Sequence, residues 1–415
     1  MRRISSNIQH NDSNNALRNQ EFRLQNVNNK IQSQNKIQML RDDPLAAGHA
    51  VRYQSFLARL ERFEKNTQTL NDQYRITESH MTSSLEILQR LRELSIQAAH
   101  GTYSADDLKK MAPEVDELLK ELVQNGNAVG ADGVRIFSGT KSFTEPFEVV
   151  LGNVPGGLGE LVIEEVRYNG ALDSKNIEID ERSFSPADTA GNKVFWAERQ
   201  TLFSETDARD FIVVEDTSIE IDGVKIALTA GDNVYALISK INDSGVALKA
   251  YLDPVTNGLN LETTDSHQIW LRDNDENSVL TTLGLVKADQ RPPYNLANSV
   301  RVSGGSIFDA VISMRNALLS GDQESLGGKI LGGLDAGIDN LTSRISQTGA
   351  RYERGEAVLA RLGTQNLNVT NALAREADLD ITEAITDLRR YENTHQASLS
   401  VLGRIYKDTL LNYLP

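Results

Sequence analysis

The sequence predicts an α+β multidomain protein: a long antiparallel helical coiled-coil-like bundle formed by both chain ends, with a strand-rich α+β insertion domain in the middle. Apolar side chains at both ends recur at alternating four- and three-residue intervals, the spacing of a helical seam. Across residues 141–305 that spacing gives way to a period of two. The same middle stretch carries 27 Asp and Glu against 14 Lys and Arg, which accounts for most of the formal net charge of -15. The first 40 residues hold six basic and two acidic side chains, and residues 381–415 hold four of each. Ends and middle are therefore suited to different surroundings.

Residues 2–38 are crowded with Asn and Gln, yet Leu17, Leu24, Val27 and Ile31 keep a helical spacing. So thin a stripe buries too little apolar surface to hold a helix by itself, and this arm is expected to be disordered in the free chain. Beyond Pro44 the stripe strengthens. Phe56, Leu60, Phe63, Leu70, Tyr74, Met81, Leu88 and Leu91 fall on one series whose polar places are Thr67, Thr77 and Ser84. It predicts a helix ending near Gly101 and on the order of 80 Å long, too long for a compact enzyme core. Ser104, with Asp107 three residues on, has the form of a capping box. It opens a helix striped by Leu108, Met111, Val115, Leu118 and Leu122 and stopped by Asn125, Gly126 and Asn127; Pro113 is expected to kink it or delay its start.

In the middle, Ile219 and Ile221, then Val224, Ile226 and Leu228, alternate on either side of Asp222-Gly223, a hairpin-turn dipeptide. A short helix with Val234, Leu237, Ile238 and Ile241 on one face follows, and strand-like runs return on both sides of 253–258. From Ile307 onward the chain is helical again. Leu334, Ile338, Leu341, Ile345, Thr348, Tyr352, Gly355, Leu359, Leu362, Asn366, Val369 and Leu373 hold a seam, preceded by Gly327, Gly328, Gly332 and Gly333, which mark a loose or broken helix start. A last segment carries Ile381, Ile385, Leu388, Leu399, Leu402, Tyr406 and Leu410. Neither end can bury its stripe alone. The two are expected to pack on each other, with the acidic middle at the far end of the rod. The expected domains are terminal helices 1–43 and 381–415, a bundle core of 44–140 and 306–380, and an insertion of 141–305.

The pair Asp42-Asp43 invites an acid/base or metal reading, but that needs further ligands. The six histidines, His10, His49, His80, His100, His267 and His395, show no paired spacing. Asp43 before Pro44 reads instead as a helix start: aspartate accepts a backbone N–H, and proline at the first helical position loses only a donor that is unpaired anyway. Asp42 adds charge favourable to the helix dipole. Asp42, Asp43 and Pro44 are thus a cap and a joint between two helices. The stretch "GVRIFSGTKS" at 133–142 suggests a phosphate loop, but five residues part its glycines and Thr140 precedes Lys141. Cysteine is absent, which excludes disulfides and thiolate chemistry. No apolar run approaches the roughly 18 residues that span a bilayer, and Met1, Arg2, Arg3 and Ile4 lead into a polar series rather than a secretory core. The acidic middle repels nucleic acid. No enzyme activity, cofactor, metal, nucleic-acid or membrane role is expected.

"RDDPLAA" at 41–47, "IQAAHGTYSADD" at 96–107, "VRIFSGTKS" at 134–142, "DLDITEAITDLRR" at 378–390 and "LLNYL" at 410–414 occur in that order. Together they resemble the flagellin-like family of hook-associated proteins. The stretch "IDGVKIALTAGDNVYALISKINDSGVALKAYLD" at 221–253 is similar to the flagellin repeat named for its Ile-Asn pair, here Ile241 and Asn242. The resemblance implies export, unfolded, through the flagellar type III channel without a cleaved signal. It implies a ring of copies at the junction of hook and filament, between a hook-associated junction protein on the hook side and flagellin on the filament side, on an external or periplasmic flagellum. An export chaperone for the C-terminal helix is also implied. The assembly interface would be Leu17, Leu24, Val27, Ile31, Ile385, Leu388, Leu399, Leu402, Tyr406, Leu410 and Leu411, ordered only when neighbours bury it, because backbone ordering costs about 1 to 2 kcal/mol per residue. The chain departs from the family at Arg41, where serine is usual, in lacking glycine over 36–40, and at Pro113. A flagellin filament subunit is the nearest alternative, although its acidic pair is usually followed by Ala-Gly. A glycan-binding or glycan-cleaving domain on a helical stalk would need facing carboxylates, for which Glu164, Glu165, Asp180 and Glu181 are candidates.

Overall fold

The computed structural model describes residues 2–411 other than 40, 131–132, 155–160, 275–277 and 288–289, with the backbone alone for 2–10 and 405–411. In chain order the elements are α1 (Arg2–Ser33), α2 (Pro44–Ala99), α3 (Ala105–Gly126), β1 (Phe147–Gly152), β2 (Val162–Tyr168), β3 (Asn176–Asp180), β4 (Ser183–Pro186), α4 (Gly191–Val194), β5 (Thr201–Phe203), β6 (Thr217–Ile221), β7 (Val224–Leu228), α5 (Val234–Asp243), β8 (Leu248–Leu252), β9 (Leu259–Thr263), β10 (Leu271–Asp273), α6 (Val279–Thr282), β11 (Arg301–Ser303), α7 (Ile307–Ser320), α8 (Gln323–Ser325), α9 (Leu331–Ala377) and α10 (Ile381–Leu411). A π-helical turn, Leu326–Ile330, leads into α9. This is the expected α+β architecture, with long terminal helices flanking a strand-rich middle. The chain divides into two compact units, one of residues 1–65 with 358–415 and the other of 66–357.

In the first unit α1 packs along α10. Lys36 donates its N–H to the Ala377 carbonyl at 2.7 Å and Leu379 to that of Gln34 at 3.1 Å, so the end of α1 is tied to the beginning of α10 and the two run antiparallel. α10 thereby supplies the helical partner that the thin stripe of α1 lacks in isolation. The buried apolar side chains of this unit are Ala46, Ala47, Ala50, Leu60 and Phe63 of α2, Val358 and Leu362 of α9, and Ala384.

The helical seam is complete in the second unit. Thr67, Leu70, Tyr74, Thr77, Met81, Ser84, Leu88 and Leu91 are all buried, polar members included. Thr77 and Ser84 tolerate burial because each hydroxyl donates to the carbonyl four residues back, to Gln73 and His80, both at 2.8 Å. On α9, Leu334, Leu341 and Thr348 are buried while Ile338, Ile345 and Tyr352 are half-buried. At Gly355 the seam leaves room for Asn71: a Cβ there would lie 2.0 Å from Asn71 Oδ1 and displace that side chain. The glycine-marked start of α9 is the π turn. Its Leu326 carbonyl accepts from Ser95 Oγ at 2.8 Å, which ties the π turn to α2.

α3 opens with the expected Ser104 and Asp107 capping box, but Pro113 does not delay it; the helix begins at Ala105 and continues through the proline. The carbonyl that loses its donor is that of Lys109, an exposed residue, so water can satisfy it. α3 packs on α7. Beside them Phe137, Phe147, Tyr168, Phe195 and Phe308 form a ring cluster with centroids 4.9 to 5.5 Å apart. One charged side chain enters this core. Arg315 is 2% exposed, and its Nη1 donates to Asp116 Oδ1 at 3.1 Å and to the Ile163 carbonyl at 2.7 Å.

Strands β5 to β10 supply a second core. One sheet has the order β10-β6-β7 and another β11-β5-β9-β8, while β1 with β2 and β3 with β4 form two-stranded pairs. The β6–β7 turn is the expected Asp222-Gly223, with positive φ at both residues (50° and 81°). Asn233 caps α5, whose Val234, Leu237 and Ile241 are buried in this core.

Breaking a buried ion pair strands the remaining charge. Asp116→Ala is expected to lower the unfolding free energy by about 3 kcal/mol, measured by urea denaturation. A loss below about 1 kcal/mol would mean that the Ile163 carbonyl, with Asn316 Oδ1, which accepts from Nη2 at 3.1 Å, satisfies the guanidinium without Asp116.

Candidate assembly surface

Two aspartates build the joint between α1 and α2. Asp43 Oδ1 accepts from the N–H groups of Leu45 at 3.2 Å and Ala46 at 3.0 Å, and its carbonyl accepts from Ala47 at 2.9 Å. Asp42 turns the other way and does more than bias the helix dipole. Its Oδ2 accepts from the N–H of Met39 at 3.0 Å and of Gln38 at 3.2 Å, folding the preceding loop, and the Met39 bond foremost holds its carboxyl below the ordinary range. Asp380 does for α10 what Asp43 does for α2, accepting from Thr382 at 2.9 Å and Glu383 at 3.1 Å. The signal for Asp380 was an aspartate just before an apolar stripe. Asn35 bridges to Asp378 between these caps.

The helices leaving the joint carry an unfinished seam. Leu17, Leu24, Val27 and Ile31 of α1 and Leu388 and Leu402 of α10 are half-buried, while Ile385 and Leu399 are exposed. Phe22, Ile381 and Val401 are more exposed still, at 60%, 50% and 56%. No side chain between residues 11 and 33 is buried, and between 381 and 404 Ala384 alone is. The side chains of Tyr406, Leu410 and Leu411 lie outside the described residues. α1 and α10 thus stand as helices, but Phe22, Ile381, Ile385, Leu399 and Val401 still face water.

Nothing comparable gathers around the carboxylates of the glycan reading. Glu164 and Glu165 are neighbours on β2, where the pairing with β1 is bulged at Glu164, and Glu165 pairs with Arg167 at 2.8 Å. Asp180 ends β3, in a different strand pair. The phosphate-loop resemblance at 133–142 is also a matter of chain packing. A Cβ on Gly139 would lie 2.5 Å from the Ala171 carbonyl, and Lys141 Nζ donates to the Asn169 carbonyl at 3.0 Å. Among the described residues no three His, Cys, Asp or Glu side chains are placed to hold a metal.

One histidine has strong electrostatic partners that its sequence position did not reveal. His267, 2% exposed, lies between Asp222 of the β6–β7 turn (Nε2 to Oδ2, 3.0 Å) and Asp265 (Nδ1 to Oδ1, 2.8 Å), and Arg344 of α9 reaches Asp265 at 3.1 Å. Burial alone would push the imidazole down, but the bonds to Asp222 and then Asp265 outweigh it and raise its pKa to about 9. The same ring and the arginine hold Asp265 well below the carboxylate range. The site is closed to substrate and serves to fasten the hairpin.

The chain matches three family models. Residues 4–142 match the bacterial flagellin N-terminal helical region, 331–414 the bacterial flagellin C-terminal helical region, and 212–265 the flagellin hook IN motif. Flagellin FlaB1 of Treponema pallidum is 26% identical over 225 residues, covering 52% of this chain and 78% of that protein. Flagellar hook-associated protein 3 of Salmonella typhimurium is 23% identical over 155 residues, 37% of this chain and 49% of that protein. Among solved structures, flagellar hook associated protein-3 of Legionella pneumophila aligns with a TM-score of 0.48 at 18% identity, covering 78% of this chain and 97% of that one.

A seam this open should not resist a protease. Trypsin is expected to trim the dilute monomer to a core near residues 43–380, cutting first at Arg18, Arg23, Lys30, Arg389, Arg390 or Arg404; mass spectrometry of the limit digest checks this, and uncut ends would refute it. The raised pKa of His267 sets a second expectation. Its stabilisation is complete below the ordinary value of 6.5 and is lost as pH rises through about 9. Wild-type stability should fall on the order of 3 kcal/mol more than that of His267→Gln between pH 6 and 10, and parallel pH profiles of urea unfolding would contradict the assignment.

Proposed function

Because the chain belongs to the flagellin and hook-associated protein family and is a structural subunit of the bacterial flagellum, we propose that it forms the ring joining hook to filament. The observation that carries this reading is the open seam of α1 and α10, which one chain leaves facing water and neighbouring copies can cover. Ordering the helices costs about 1 to 2 kcal/mol per residue, and apolar burial between subunits returns about 25 cal/mol per Å². Folding of segments 1–43 and 381–415 is thereby coupled to assembly, while 44–140 with 306–380 and the insertion 141–305 fold beforehand. The partners on this reading are a hook-associated junction protein on one side, flagellin on the other, further copies around the ring, and a chaperone over the C-terminal stripe before export. The surface that meets them comprises Leu17, Leu24, Val27, Ile31, Ile385, Leu388, Leu399 and Leu402, continuing to Tyr406, Leu410 and Leu411. The joint favours the junction, since Pro44 follows Asp42-Asp43 where filament subunits usually carry Ala-Gly.

A filament subunit is the second reading, favoured by the flagellin match spanning a larger share of the chain than the hook-associated match. Copy number separates the two. Quantitative mass spectrometry of isolated flagella sheared to different lengths should find a fixed, small number of copies per hook. Copies rising in proportion to filament length would overturn the junction assignment.

A further inference from the structure

The sequence singles out Ile241-Asn242, and assembly through the chain ends leaves that pair without a role. The two residues sit at the C-terminal end of α5 and point differently, because successive helical residues are about 100° apart around the axis. Ile241 is fully buried in the second core. Asn242 reaches the outer edge of β8. Its Oδ1 accepts the N–H of Ala250 at 2.8 Å, and its Nδ2 donates to the carbonyl of the same residue at 3.1 Å.

β8 is an end strand in the order β11-β5-β9-β8. In an antiparallel pair the N–H and C=O of one residue leave the strand on the same side, so those of Ala250, turned to Asn242, face away from β9. Leu248 and Leu252 share that outer edge by the period of two, and the N–H of Leu248 is taken by the Val246 carbonyl at 2.7 Å. The middle of the edge is therefore occupied by a side-chain amide offering the same donor and acceptor as a neighbouring strand. The opposite edge of this sheet, β11, is only three residues long.

The device recurs elsewhere in the same unit. Asn127, which closes α3, accepts the N–H of Phe147 with Oδ1 and donates from Nδ2 to the Phe147 carbonyl, both at 2.8 Å. Phe147 begins β1, whose only sheet partner among the described residues is β2. In both places an asparagine at a helix C-terminus grips one buried residue of an edge strand. Aspartate lacks the donor, glutamine is a methylene too long and alanine offers neither group.

We propose that the Ile-Asn pair is a clasp in which Ile241 anchors α5 in the core while Asn242 holds β8 and closes its edge to strand addition by another chain. An open edge is a template for pairing with another chain. The clasp is independent of whether the chain builds a junction or a filament.

Amide hydrogen exchange on the full chain tests the grip. The Ala250 N–H of the wild type should be as protected as amides inside the β5–β9 ladder. Asn242→Ala should speed its exchange at least tenfold, and Asn242→Asp, which keeps the acceptor, should speed it less. An Ala250 amide that is unprotected in the wild type, or equally protected in Asn242→Ala, would overturn the proposal, and the wild-type measurement decides even if the alanine variant does not fold. Edge closure has its own readout, because the chain lacks cysteine and Lys249 is exposed. Pyrene attached to Lys249→Cys should give concentration-dependent excimer emission when combined with Asn242→Ala, which leaves neither donor nor acceptor and adds no charge, and none alone. No excimer in the double variant would reject the sealing role.

Discussion

Apolar surface that a single chain cannot finish burying is the constraint on which the structure turns. The same alternating four-and-three spacing runs through α2, α9, α1 and α10, but its outcome differs. In the second unit every member of the α2 series from Thr67 to Leu91 is buried; the hydroxyls of Thr77 and Ser84 are satisfied within their own helix and that of Tyr74 by Ser185 and Pro186 of β4. In the first unit α1 and α10 pair with each other and still leave Phe22, Ile381, Ile385, Leu399 and Val401 facing water. One periodicity thus yields a finished interior and an unfinished surface, and the difference lies in how many helices surround the stripe.

What could be read from the chain was whatever is local. The capping box at Ser104, the Asp43 cap, the Asp222-Gly223 turn and the α5 face each depend on residues within a few positions of one another, so composition and spacing suffice. The delay that Pro113 could have caused does not occur, because the capping box sets the start of α3 and the carbonyl the proline orphans belongs to Lys109, an exposed residue. The long-range polar contacts were invisible. Arg315 meets Asp116 across some two hundred residues, and His267 meets Asp222 across 45. The surface stripe was legible as a stripe; that α10 would leave it half covered was not, since coverage is a property of packing and not of pattern.

Charge acts in this chain chiefly where it is hidden. The acidic middle is conspicuous in composition, yet exposed pairs within it such as Arg209 with Asp207, both more than half accessible, are screened and contribute little. The guanidinium of Arg315 and the imidazole of His267 are each 2% exposed, and each ties sequence-distant segments together. Net charge then keeps the insertion soluble, while a few desolvated contacts fix which arrangement it adopts.

The π turn at Leu326–Ile330 bears on how the family can vary. A π turn lodges one residue more than an α turn, so it sets the rotational phase of everything after it by about 100°. Removing that surplus residue would roll Leu334, Leu341 and Thr348 off the inner face together. A single-codon deletion before α9 would therefore have to be matched by an insertion nearby before the inner face was restored.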